Sequence, residues 1–194
     1  KYASGVLAQV LYVGGQIMCW TYIYQYAEGI GMDSVTAGYY QMAAFVLFTV
    51  GRAIGTYLLR FISSGKLLMY FAVLAMVFSL GTIFIQGIIG LYCLVGISFF
   101  MSLMFPTIYG IALGGLSEEQ SKVGSAGLVM AIVGGALMPK LQGIIIDAGG
   151  NGVADTSIMG VSEVNFSFIL PLLCFSFIAW YGFRVFKKYE SSSS

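Results

Sequence analysis

The sequence predicts an all-α membrane protein with six transmembrane helices. Of its 194 residues, 59% are hydrophobic and 9% are charged. A soluble domain carries roughly 45–50% apolar and about 25% charged residues. The mean hydropathy is +0.91. Six stretches each reach the about 20 mostly apolar residues that a helix needs to cross a hydrocarbon core. Nine basic and eight acidic side chains are too few to solvate a soluble domain of this length, so the lipid bilayer is the expected solvent.

The first span runs from about Ala3 to Ala27 and the second from Thr36 to Arg60. The third is Lys66 to Gln86, the fourth Ile88 to Leu116, the fifth Lys122 to Asp147, and the sixth Asn165 to Lys187. The breaks have physical causes. EGIGMDS, FISSGK and LSEEQSK combine charge with Gly or Ser, and Gln86-Gly87 marks a tight turn. DAGGNGVADTS, continuing to Glu163, is the one long loop, since its glycines and polar groups cannot cross lipid. Residues 1–190 read as one six-helix unit, and Ser191–Ser194 as a tag or linker remnant. The first span is too long for a signal peptide, and no small-residue cleavage site precedes a soluble domain. Asn165-Phe166-Ser167 matches a glycosylation pattern but abuts the bilayer, so it reads as a chance match.

Lys and Arg set the orientation. One side collects Lys1, Arg60, Lys66, Lys122, Arg184, Lys187 and Lys188. The opposite loops hold Glu28, Asp33, Asp147, Asp155 and Glu163, without any Lys or Arg. Both termini are therefore expected in the cytoplasm, and the long loop outside.

Composition also excludes function classes. A net charge of +1 without a basic cluster argues against a nucleic-acid partner. The chain has no histidine, which removes Ser-His-Asp, Cys-His and His-ligated metal sites. Cys19, Cys93 and Cys174 lie in apolar runs without metal-like spacing and read as small buried hydrophobes. No metal, cofactor or enzymatic activity is expected. Asn151 and Asn165 do not precede Pro, against a water or glycerol channel. Pro106, Pro139 and Pro171 lack the charged triplication of a mitochondrial carrier. Arg52 and Arg60 do not make the Arg ladder of a voltage sensor. A transporter, a transporter half or a membrane interaction module remains.

Small residues recur where helices would approach closely: Gly51-xxx-Gly55, Gly110-xxx-Gly114, and Gly127, Ala131 and Gly135. Polar groups inside spans are candidates for a substrate path. Tyr12, Gln16, Trp20 and Tyr24 share a slowly drifting face of the first span, with Gln9 nearby. Gln16, near mid-span, can donate to and accept from sugar hydroxyls, and aromatic rings pack on apolar sugar faces. The alternative is a plain interhelical bond through Gln16, with Trp20 as packing. Pro106 frees a carbonyl and kinks the fourth span beside Phe105 and Tyr109, as a gate, a site wall or packing. Tyr40 and Gln41 lie toward the outer end of the second span as packing or interface anchors, with Gln41 also a candidate substrate group. Arg52 and Lys140 are the only charges well inside spans. Arg52 reads as a snorkelling or carbonyl-capping cation, and Lys140 as a snorkelling cation or one facing a cavity. No Asp or Glu lies inside a span, so the chain offers no evident proton acceptor.

The segment Tyr12-Val-Gly-Gly-Gln16-Ile-Met-Cys-Trp20-Thr-Tyr22 resembles the start of the C-terminal half of bacterial fucose–proton symporters. So do Gly51-Arg52-xx-Gly55 before an Arg-bounded turn, and Phe100-Met-Ser-xx-Phe105-Pro-Thr-Ile108. So does Gly124-Ser-Ala-xxx-Met130-xx-Val-Gly-Gly135, ending in Asp147-Ala-Gly-Gly-Asn151. The likeness runs through all six spans in order. These symporters are members of the major facilitator superfamily, whose twelve helices form two six-helix halves of inverted three-helix repeats.

The resemblance implies that this chain is one such half, the C-terminal one. It implies that the coupling carboxylates lie in the N-terminal six-helix half. It also implies a sugar site between the halves, lined on this side by Gln16, Trp20, Phe105 and Tyr109. It leads one to expect Tyr before the Pro of the fourth span. Phe105 stands there without the hydroxyl, so glucose and galactose join fucose as candidate sugars. Gly55-xxx-Leu59-Arg60 carries Leu where an acidic residue is usual in the superfamily. The expected function is half of a proton-coupled monosaccharide symporter of a bacterial inner membrane, working by alternating access. A membrane interaction module and half of a drug-type transporter are the alternatives.

Overall fold

The structure, a computed structural model, describes residues 2–147 and 157–193, with side chains up to residue 188. Lys1, the 148–156 segment with Asn151 and Asp155, and Ser194 lie outside the described residues. So does the outward placement expected for that segment.

Six helical stretches are long and apolar enough to cross a membrane: Tyr2–Gly29, Ser34–Leu58, Ser64–Phe84, Ile88–Leu113, Glu118–Ile146 and Glu163–Lys188. The first is α1 (Tyr2–Thr21) and α2 (Ile23–Gly29), and the second and third are α3 (Ser34–Leu58) and α4 (Ser64–Phe84). The fourth is α5 (Ile88–Met101) and α6 (Met104–Leu113). The fifth is α7 (Glu118–Met130) and α8 (Gly134–Ile146), joined by a 3₁₀ turn at Ala131–Val133. The sixth is a short α9 (Glu163–Ser167) and α10 (Ile169–Ser193), so the serine run to Ser193 prolongs the last helix.

Local chemistry sets the ends. Asp33 caps α3, its carboxylate accepting from the Thr36 hydroxyl at 2.6 Å and the Thr36 N–H at 3.3 Å. Those two bonds hold the Asp33 pKa below its ordinary value, the hydroxyl contributing most. The cap therefore stabilises the helix start above the usual carboxylate range, and is lost as pH falls through the lowered pKa. Ser117 and Gln120 form a reciprocal capping box at the start of α7.

The packing order is that of an inverted repeat. The second span packs on the fourth, the fifth packs on the first, and the third and sixth pack on each other. The middle helix of each triplet thus leans on the leading helix of the other. Glycine permits both crossings. A Cβ on Gly51 would strike the Phe99 carbonyl oxygen, and one on Gly134 the Val10 carbonyl oxygen. Gly110 faces open space, so the Gly110-xxx-Gly114 pair does not act there as a packing ridge.

Three features differ from the sequence reading. Residues Ser157–Ile158 and Val161–Ser162 form an antiparallel hairpin. Its turn, Met159 and Gly160, has positive φ at both positions, which Asn-Gly would have signalled and Met-Gly does not. Glu163, expected in the outer loop, opens α9 and is fully buried. Tyr12, expected to line a substrate path, is also fully buried.

Three span ends are tied together by Asn165. Its Nδ2 donates to the Thr82 carbonyl at 2.8 Å and the Tyr26 hydroxyl at 3.2 Å, joining the sixth span to the third and first. That amide is buried, which closes it to a glycosyltransferase and agrees with a chance motif.

Only 17% of the second span's most apolar window and 22% of the fifth's are buried, against 44–56% for the other four. These flanking spans leave much of their surface bare on either side of the central first and fourth spans.

Candidate substrate-binding face

The site is built on the first and fourth spans, at the level where the fourth breaks. Pro106 lies in the first turn of α6, where a missing N–H is tolerated. In an unbroken helix its N–H would bond the Ser102 carbonyl. Arg52 of the second span replaces that donor: its Nε donates to the Ser102 carbonyl oxygen at 3.2 Å. The hydroxyl of Tyr12, from the first span, donates to the neighbouring Met101 carbonyl at 3.0 Å. The broken turn is therefore capped by side chains from two other spans. Gly51 beside Arg52 lets the second span approach closely enough for the bond, and Gly55 packs against Leu103 one turn further on.

The rings arrange themselves around this capped turn. Tyr12 meets Phe105 edge-on, with ring centroids 6.1 Å apart. Phe105 stacks on Tyr109 at 6.4 Å with planes 13° apart. Trp20 Nε1 donates to the Ser98 hydroxyl at 3.2 Å, and its ring meets Phe45 and Phe48 edge-on at 4.9 and 5.1 Å. Arg52 lies over the Phe48 ring at 5.4 Å.

Gln16 sits between Tyr12 and Trp20, one helical turn from each. It is half-buried. Tyr12 and Trp20 have their polar atoms engaged, whereas no hydrogen bond joins Gln16 to any described residue. Phe105 and Tyr109 are also half-buried. The structure thus joins Tyr12, Phe105 and Tyr109 at the broken turn and sets Trp20 at the Ser98 level of the fourth span, with Gln16 between the Tyr12 and Trp20 levels of the first.

Gln41 is placed elsewhere. It lies four to seven residues before Phe45 and Phe48, about 6–10 Å toward the N-terminal end of that span. Its Oε1 is buried without a partner among the described residues. Lys140 is exposed on the fifth span, on the side away from the Gly134 and Met138 stripe that packs on the first span. Its neighbour Pro139 offers its carbonyl to the Tyr22 hydroxyl at 2.8 Å.

Sequence reasoning missed Phe45, Phe48, Ser98 and Ser102 as the partners of Trp20 and Arg52. A signal existed. Phe45, Phe48 and Arg52 repeat at helical spacing, as do Ser98 and Ser102. Chemically, the face offers an amide, a phenol and aromatic rings beside one cation. That set can hydrogen-bond and stack on a neutral polyol. No carboxylate joins it among the described residues, nor does any group of metal-ligating side chains.

The fold and this face define a class: the chain is a multi-pass membrane protein with the fold of one six-helix half of a major facilitator superfamily transporter. The E. coli fucose:proton symporter FucP, in crystal form, superposes with a TM-score of 0.85 at 33% identity, over 95% of this chain and 42% of that one. More particularly, the sequence is similar to the C-terminal half of fucose–proton symporters. It is 55% identical over 187 residues to the L-fucose-proton symporter of Haemophilus influenzae, covering 96% of this chain and 42% of the relative. It is 31% identical over 181 residues to a glucose/galactose transporter of Brucella abortus, covering 92% of this chain and 40% of the relative. The chain spans about two fifths of the length of these curated relatives. No family model matches it.

Proposed function

We propose that this chain is the C-terminal half of a proton-coupled monosaccharide symporter in a bacterial inner membrane, without enzymatic activity. The sugar, of fucose, glucose or galactose type, binds between this half and an N-terminal six-helix half. The face of Gln16, Trp20, Phe105 and Tyr109 forms its wall here. The observation that carries the reading is the half-buried Gln16 amide, one helical turn from both Tyr12 and Trp20 and without a hydrogen bond to a described residue. A sugar needs both: hydrogen bonds for its hydroxyls and an apolar surface for its C–H faces. Alternating access needs two halves around one midplane site, so the isolated chain should not transport. The Arg52 capping bond and the low burial of the second and fifth spans support a rigid half that rocks against a partner. The relatives named as glucose/galactose transporters keep those sugars beside fucose.

The test is uptake of labelled fucose, glucose and galactose into vesicles that carry the full-length protein. Uptake of one of them, driven by an inward proton gradient, is expected. Failure to accumulate any of the three would sink the reading. The proton should travel through carboxylates of the other half. Neutralising Glu28, Asp33, Asp147 and the buried Glu163 one at a time should leave sugar-driven proton entry largely intact. Abolished proton entry in any one of these variants, with normal expression and sugar binding, would refute this.

The Lys and Arg distribution supports a cytoplasmic position for both termini. With Cys19, Cys93 and Cys174 replaced, an impermeant thiol reagent applied to intact cells should modify Ser157→Cys and spare Ser64→Cys. The opposite labelling pattern would invert the topology.

A further inference from the structure

The sixth span carries a second feature, remote from the sugar face. Trp180, Phe183, Arg184, Lys187 and Lys188 line a shallow, open groove along its exposed face. Their spacing is that of a single helical stripe. The opposite side of the same helix is the packed one: Gly182 lies so close to the third span that a Cβ there would meet the Met69 nitrogen at 2.8 Å. Leu173, one further repeat toward mid-bilayer, continues the stripe and is 60% exposed.

The stripe is ordered along the axis. Leu173, Trp180 and Phe183 occupy the apolar side, and Arg184, Lys187 and Lys188 the end of the span. From Trp180 to Lys188 the helix rises about 12 Å. The Arg184 guanidinium lies over the Trp180 ring at 5.3 Å, which fixes a cation at the boundary between the two parts. Three cations lie near one carboxylate in sequence, Glu190 on the next turn. The groove therefore has the polarity of an amphiphile with a negative head: chain-like surface below, phosphate-binding cations above.

We infer that this groove binds an anionic phospholipid, its phosphate held by Arg184 and Lys187 and an acyl chain laid along Trp180 and Leu173. A zwitterionic lipid presents the same chains but carries a compensating cation, so the headgroup charge discriminates. Free phosphate lacks the chains and would forgo the aromatic half of the groove.

The experiment is native mass spectrometry of the full-length protein with equimolar phosphatidylglycerol and phosphatidylcholine. Phosphatidylglycerol is expected to be retained over phosphatidylcholine by roughly 10- to 30-fold, as about 1 kcal/mol for each of two basic residues at a membrane surface implies. Arg184→Gln with Lys187→Gln should bring the two lipids to parity. The exposed Lys187→Gln alone, which leaves the packed side of the helix untouched, should remove part of the preference. Trp180→Ala should lower retention of both lipids. Equal retention by the unmodified protein, or an unchanged preference in Lys187→Gln and the double variant, would overturn the inference. So would displacement of the lipid by inorganic phosphate, or a second copy of the protein retained in place of lipid.

Discussion

Replacing Gln16 by Ala in the full-length protein is expected to weaken sugar binding roughly 5- to 150-fold. A sugar hydroxyl that loses its partner in a closed site costs about 1–3 kcal/mol, and each 1.4 kcal/mol is about tenfold in affinity. The structure sharpens the control. Gln16 bonds no described residue, so its loss should leave the melting temperature unchanged. Trp20 behaves differently. Its N–H holds Ser98 and its ring lies against Phe45 and Phe48, so it ties three spans together. Trp20→Ala should lower stability and affinity together, and Trp20→Phe should restore part of both through the retained ring contacts. Affinity and melting temperature are measured on the same purified proteins. A Gln16→Ala protein with unchanged affinity and a lowered melting temperature would return Gln16 to helix packing.

The contrast between Gln16 and Tyr12 marks how far the sequence can be read. Spacing placed Tyr12, Gln16 and Trp20 on one face, and they share it. Spacing could not say which of them would be consumed by other helices. The partner of the Tyr12 hydroxyl is a carbonyl 89 residues away, and that of the Trp20 N–H a hydroxyl 78 residues away. Such contacts depend on which spans cross, and at what height. The six spans themselves were legible because lipid imposes length and apolarity on each segment separately. Breaks within spans were legible only where a residue forces them. Pro106 announces the break in the fourth span. The 3₁₀ turn at Ala131–Val133 and the change at Tyr22 have no such marker. Glu163 looked like a loop residue because charge normally stays in water. Its burial depends on the helix start that Ser162 caps, accepting from the Asn165 N–H.

Arg52 and Pro106 should prove energetically coupled. Pro106 removes the donor that would have bonded the Ser102 carbonyl, and Arg52 supplies another. Ser102 is fully buried, so loss of that donor would leave a carbonyl without a partner in a place that excludes water. In Arg52→Ala the cost is expected near 1–2 kcal/mol. Interhelical hydrogen bonds in membranes average about 0.6 kcal/mol and reach about 1.7. An orphaned buried carbonyl pushes toward the top of that range. In Pro106→Ala, residue 106 regains an N–H four positions after Ser102, and Ser102 itself holds helical dihedrals. The helix can then bond its own carbonyl, and removing Arg52 should cost little. The double-mutant cycle should therefore show a coupling energy of about 1 kcal/mol or more. It is measured by unfolding titration of the full-length protein and its three variants in mixed micelles. Arg52→Lys should retain part of the stabilisation, because an ammonium can donate to the same oxygen without the fixed planar geometry of the guanidinium. If Arg52 instead only snorkels toward the headgroups, its removal will cost the same with Pro106 or Ala at position 106, and the cycle will close at zero.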